Sequence, residues 1–165
     1  MTIRIRPLVE GDLERLAELD DAYSTANDLE RAVNLAALRF FERSGHSFVA
    51  EAAGGSAAGA PGEGAGDAVG FLLAQAVWTG ERPTVHAHRL VARGADAAGA
   101  RSALARALVK SAYDAGVYDL VFRTPRADAA LRTALAGEGY LQDDHVTLAL
   151  VLGTRAAAWA EARGG

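Results

Sequence analysis

His86 and His88 stand two apart in the run Thr84-Val85-His86-Ala87-His88-Arg89-Leu90-Val91-Ala92. In a strand, residues at that spacing share one face. A His-x-His pair holds zinc when a third ligand joins it, and the sequence nominates no such ligand, so no metal is expected. General base catalysis asks for less. An imidazole titrates at about 6.5, close to working pH, which makes His88 the candidate base. The competing reading is a core or edge histidine with a hydrogen-bonded ring. The sequence has no cysteine, which removes a thiolate nucleophile, a disulfide framework and a cysteine-held iron–sulfur cluster. No serine sits on a Gly-x-Ser-x-Gly elbow, so a Ser-His-Asp hydrolase is not expected. His46 and His145 read as loop residues.

The histidine strand leads into a second group able to do chemistry. Arg93 to Gly99 is a Gly/Ala loop carrying Arg93 and Asp96, and it opens a helix-patterned segment that ends near Ala115, with Gly116 as the stop. Val117 to Phe122 then reads as a second strand, too apolar to have one face in water, and hence a buried parallel partner of the first. Strand, loop, helix, strand makes a right-handed crossover. Its loop puts backbone N–H groups and the positive end of a helix at the carboxyl edge of a sheet, an anion site by construction. Asp96 reads either as the N-cap of that helix or as part of the site. Along the helix, Ala100, Leu104, Leu108, Ser111, Ala112 and Ala115 share a face, while Arg106 and Lys110 project outward.

The rest of the chain supplies the elements that position these groups. Ile3 and Ile5 alternate with Arg4 and Arg6 as in a strand with one buried face. Leu8 to Asp20 has helical spacing, Asp20 to Asn27 reads as a polar break, and Leu29 to Ser44 as a helix with Val33, Ala36, Ala37, Phe40 and Phe41 on its apolar face. Ser47 to Ala52 is a strand. Gly54 to Gly66, almost wholly Gly and Ala, is expected to be a flexible hairpin loop. Ala68 to Trp78 is a central strand buried on both faces, with Trp78 in the core and Gln75 near its end. Ala127 to Gly137 is a short helix, Leu141 and Val146 to Leu152 close the sheet, and Thr154 to Gly165 is an Ala-rich tail with Trp159.

Strand, Gly-containing loop, long helix, Ala-Gly, strand and a short helix ending in Gly139-Tyr140 resemble the core of the GNAT superfamily of acyl-CoA-dependent N-acyltransferases. Ala68-Val69-Gly70-Phe71-Leu72-Leu73 is similar to that family's third strand, and Ile5-Arg6-Pro7-Leu8 with Gly11-Asp12-Leu13 to its opening. The chain resembles in particular a group of short bacterial GNAT-like proteins with a degenerate acetyl-CoA motif. The fold implied is α/β (α+β): a mixed, mostly antiparallel sheet with a central parallel pair and helices on both faces. It would form a single domain over residues 1–153, followed by the tail 154–165.

The resemblance implies transfer of an acetyl or acyl group from CoA to an amine. Leu90, Val91 and Ala92 would pair with the pantetheine amides, and Arg93, Gly99, Ala100, Arg101 and Ser102 would hold the pyrophosphate, with His88 taking the amine's proton. The family's pyrophosphate signature, Gln/Arg-x-x-Gly-x-Gly/Ala, falls on Asp96-Ala97-Ala98-Gly99-Ala100-Arg101, where only Gly99 matches. The register Arg93-Gly94-Ala95-Asp96-Ala97-Ala98 recovers the first and last positions and puts Asp96 at the glycine. Leu135 stands where the family often has a proton-donating tyrosine, and Asp128 where it often has an asparagine. These departures keep a second expectation open, a non-catalytic protein of the same fold that binds another ligand or partner in the inherited cleft.

Composition narrows the partners. A length of 165 residues, half of them hydrophobic, suffices for one folded core. The formal charge of -4 argues against general nucleic-acid binding. No signal-like opening and no apolar run of spanning length is seen, so a cytoplasmic protein with no membrane partner is expected. The expected acceptor is a small-molecule or peptide amine, and a homodimer is compatible with the architecture.

Overall fold

The computed structural model describes residues 2–52, 66–142 and 161. Most of the Gly/Ala segment before Gly66, His145, the closing strand at 146–152 and the tail with Trp159 lie outside the described residues. Among the described residues five strands form one sheet in chain order: β1 (Ile3–Pro7), β2 (Phe48–Ala52), β3 (Ala68–Thr79), β4 (Arg82–Ala92) and β5 (Asp119–Phe122). The first four pair antiparallel, and β5 lies parallel to β4 with Thr84 opposite Asp119 and Ala87 opposite Phe122. This is the parallel pair expected from the crossover, with α3 (Ala97–Asp114) as the connection, but β5 is not the buried strand expected, since its residues are half-buried and Val121 is exposed.

Each face of the sheet carries its own core. On one side α3 and α4 (Ala129–Gly137) pack Leu104, Leu108, Leu131 and Leu135 against Leu72, Val85 and Leu90. On the other, α1 (Leu13–Asn27) and α2 (Leu35–Ser44) pack Leu16, Leu19 and Leu38 against Val49, Phe71, Leu73 and Val91. Leu135 is therefore a core residue beside Leu131, and its side chain is taken up by packing.

The two helices of the second face differ from their sequence reading. The expected polar break from Asp20 to Asn27 is helical, because Asp20 and Ser24 continue the inward stripe of Leu16 and Leu19 with polar side chains. The expected helix from Leu29 starts only at Leu35. Before it, the Asp20 carboxylate accepts the N–H groups of Ala32 (2.5 Å) and Val33 (2.9 Å), which holds that stretch extended, and Asn34 caps α2 by accepting from Ala37 N–H at 2.9 Å. The later start also rotates the buried face. Leu38 is fully buried and Phe40 exposed, in place of the face expected from Phe40 and Ala36.

β3 is buried on both faces only from Gly70 to Ala74. Its end rises into a hairpin with β4 that projects from the sheet, and Trp78 is 72% exposed there, a correction to its expected core position. Gly70 marks a close approach of β3 to β4, since a Cβ at that position would lie 2.6 Å from the Val91 carbonyl oxygen. The obstacle is backbone, which cannot swing aside. Gly70→Ala is expected to lower stability by about 1–3 kcal/mol, seen as a fall in the urea midpoint.

The register of β3 and β4 contains one irregularity with consequences for the site. Leu73 lies opposite Arg89 and Ala74 opposite Ala87, so His88 is an extra residue on β4. Such a bulge bends the strand and changes which side chains face which way. Val85 and Ala87 face α3, as do Leu90 and Ala92, whereas Arg89 and Val91 turn towards α1.

Candidate active site

The sheet opens just past Ala87. The last link between β4 and the β5 segment is the Arg123 N–H donating to the Ala87 carbonyl at 3.0 Å. From His88 to Ala92, β4 has no strand partner on that side among the described residues. A cleft of about 320 Å³ lies there, walled by Tyr23, Leu29 and Glu30 from the α1 side, His88, Arg89 and Leu90 from β4, and Arg123, Thr124 and Pro125 from the loop after β5.

A buried polar network holds the cleft's walls together. The Tyr23 hydroxyl donates to Asp128 Oδ2 at 2.8 Å, and Asp128 Oδ1 accepts the Leu131 N–H at 2.8 Å as the N-cap of α4. One carboxylate therefore ties α1 to α4 across the cleft. Burial, then the bond to Asp128, hold the Tyr23 hydroxyl well above its usual pKa, so it stays protonated and donating. Arg89 lies 5.5 Å from the Tyr23 ring centre and donates from Nη2 to the Glu30 carbonyl at 2.6 Å. Its Nε is 3.2 Å from Asp20 Oδ1, a charge pair whose angle is not that of a hydrogen bond.

His88 projects beside this network. Its Nε2 is 3.1 Å from Gln75 Nε2, and its ring lies 5.7 Å from that of Phe41 and 6.4 Å from that of His86. The two histidines thus share a face. With the Gln75 amide nitrogen donating, Nε2 accepts; with the amide turned over, Nε2–H donates and Nδ1 keeps its lone pair. Burial first, then the charges of Arg123 and His86, push the His88 pKa below 6.5. The ring is neutral at working pH. Arg123→Gln removes one of these repulsive charges and leaves the burial, so the His88 pKa is expected to rise towards 6.5. Imidazole NMR titration reads this directly, and an unshifted curve would place the guanidinium too far away to matter.

The loop after β4 is organised as an anion site would be, with one intrusion. Gly94 adopts φ +87°, the Arg93 N–H donates to the Val69 carbonyl at 2.8 Å, and α3 begins at Ala97. Asp96 stands at the N-cap position, yet its side chain accepts no N–H of the helix, against the capping reading. Its Oδ1 lies instead over Gly99, 2.5 Å from where a Cβ would be. A side chain at Gly99 would collide with that carboxylate.

The expected site residues therefore fall into two groups. His88 and Leu90 line the cleft, while Val91 and Ala92 continue β4 to its buried end. Gly99, Arg101 and Ser102 stand half-buried on the first turns of α3, Ala100 points into the core, and Arg93 is exposed beside a smaller cavity shared with Arg15, Glu18 and Asp67. Arg101 makes no ion pair with Asp96 or Asp128 among the described residues. Sequence reasoning missed Tyr23, Arg89 and Arg123. A charge inside an apolar strand run was the available signal for Arg89, since a buried arginine needs a partner.

Among the described residues no group of side chains suited to a metal ion occurs, and no helix is long and apolar enough to cross a membrane. Comparison with solved structures finds TTHA1254 from Thermus thermophilus at 42% identity, covering 92% of this chain and 99% of that one, with a TM-score of 0.70. The ribosomal-protein-alanine N-acetyltransferase from Brucella melitensis biovar Abortus 2308 matches at 17% identity, with 92% and 100% of the chains covered and a TM-score of 0.63. The NatC complex bound to Gag peptide and CoA matches at 17% identity, with 87% of each chain covered and a TM-score of 0.64. No curated protein matches. The fold is that of the GNAT acetyltransferases, and since the model of the family described as "Protein of unknown function (DUF1999)" matches residues 3–163, the chain belongs to that family.

Proposed function

We propose that the protein is an N-acyltransferase that moves an acetyl or acyl group from CoA to an amine. The observation that supports this reading is that β4 has no strand partner beyond Ala87 among the described residues, with His88, Arg89 and Leu90 lining a cleft there. A strand edge of this kind pairs with an extended amide-containing ligand. The pantetheine arm of acyl-CoA has such amides. The phosphate end fits less directly: Asp96 Oδ1 occupies the space beside Gly99, and a rotation of that one side chain clears it. Arg93 and Arg101 then supply positive charge near the helix start.

When bound, acyl-CoA supplies the activated thioester. The chain's own share is to hold the thioester on the β4 edge and the amine in the cleft, so that proximity and orientation carry most of the rate. Neutral His88 takes the amine's proton. Leu135 is buried beside Leu131 and offers no acid for the leaving thiolate.

The Asp96 carboxylate over Gly99 favours a second reading, in which the fold binds a different ligand without catalysis. Isothermal titration with acetyl-CoA, with desulfo-CoA and ATP as controls, separates the two. Saturable micromolar binding followed by thiol release with an amine is the expected result. No heat and no thermal shift at millimolar acetyl-CoA would sink the transferase reading.

A further inference from the structure

We infer that the acceptor is a small amine carrying a carboxylate, of the free amino-acid class, and that Arg123 seats the carboxylate. The inference rests on the N-acyltransferase reading. Arg123 lines the cleft with His88, and its backbone N–H is fixed to Ala87 where the strands part. Its charge reaches both His86 and His88, and its exposed side chain makes no ion pair among the described residues. The cleft's other arginine is engaged: Arg89 is held by Asp20 and the Glu30 carbonyl. Of the carboxylates nearby, Asp128 is taken by Tyr23 and the α4 cap, and Glu30, which lines the cleft, is not free either. Among the lining residues this leaves the unpaired Arg123 guanidinium beside the His88 imidazole, the complement of a ligand with a carboxylate and an amine, and the charge of Arg101, which reaches Tyr23, adds to the same sign.

Size points the same way. About 320 Å³ is near the lower end of ligand clefts, which span roughly 300–1,000 Å³, and the acyl end must share it. A polyamine or an aminoglycoside would meet Arg123 with like charge. A guanidinium binds a carboxylate through two parallel N–H bonds, which orients the ligand as well as holding it. In the reaction the amine nitrogen's lone pair forms the new bond to the thioester carbon as the carbon–sulfur bond breaks. The sulfur leaves with that bond's electrons as CoA thiolate, and the proton lost from nitrogen passes to His88.

The test uses the full chain in two independent measurements. Without acyl-CoA, the standard L-amino acids are added singly while the His88 ring signals are followed by NMR, and the best binder is compared with its carboxamide. One or more amino acids should shift His88, the carboxamide should bind at least about tenfold more weakly, and Arg123→Gln should abolish that preference, with Arg123→Lys restoring part of it. Equal binding of acid and amide, no response to any amino acid, or a preference that survives in Arg123→Gln would overturn the inference. With acetyl-CoA, thiol release is measured on the same acceptors, and Arg123→Gln should raise KM about tenfold with kcat little changed. Thiol release is read beside the acetyl-CoA titration. Binding of acetyl-CoA with turnover of amides as fast as acids overturns the acceptor class alone, whereas no acetyl-CoA binding overturns the transferase reading.

Discussion

Arg89→Met is expected to lower the free energy of unfolding by about 3–5 kcal/mol, the usual cost of leaving one member of a buried ion pair without its partner. Asp20 is 0% exposed, and its other contacts are the N–H groups of Ala32 and Val33. Without Arg89 its charge faces no cation in the core. The same substitution removes the 2.6 Å bond to the Glu30 carbonyl, so the stretch before α2 loses one of its anchors. Urea unfolding at unchanged slope is the measurement. Adding Asp20→Leu to Arg89→Met should recover a large part of the loss, because removal of both charges removes the uncompensated one. A single-variant loss below about 1 kcal/mol would show that the pair is solvated and behaves as a surface ion pair.

Asp96→Ala is expected to tighten acetyl-CoA binding about fivefold or more. At about 4 Å a carboxylate and a phosphate charge repel by roughly 1 kcal/mol in water and about 4 kcal/mol at a surface-like dielectric, and 1.4 kcal/mol is a factor of ten. The carboxylate also occupies space beside Gly99, so the substitution clears the steric and the electrostatic obstacle together. An N-cap aspartate normally contributes about 1 kcal/mol through its hydrogen bond. Here that bond is absent, so the melting temperature should move little. Titration calorimetry on both proteins decides it. Unchanged affinity would mean that Asp96 already swings away on binding at no cost, and weaker affinity would give the carboxylate a binding role of its own.

The crossover was legible because each of its parts is a local pattern. The apolar runs Thr84 to Ala92 and Val117 to Phe122, the Gly/Ala loop between them and the helix stop at Gly116 needed no distant partner to be read, and the sheet places β4 and β5 parallel as expected. The helices before it were misread for a non-local reason. Asp20 looks like a turn residue until its carboxylate is seen accepting two N–H groups twelve and thirteen residues away. Trp78 failed similarly, because an apolar residue at the tip of a long hairpin has the same local signature as one at its buried centre.

The candidate site divides along the same line. Sequence by itself determined the crossover around the loop at Arg93 to Gly99 and singled out His88, since these rest on spacing and residue type along one stretch, and the GNAT-like class followed from a resemblance in the order of elements. Tertiary structure alone decided what surrounds that histidine. The extra residue at His88 turns Arg89 to meet Asp20 from α1, and Tyr23 reaches Asp128 across 105 positions of chain. The physical reason is that charge pairing and bulge register are settled between segments, where the energy of a buried group depends on what packs over it and no local periodicity records the partner.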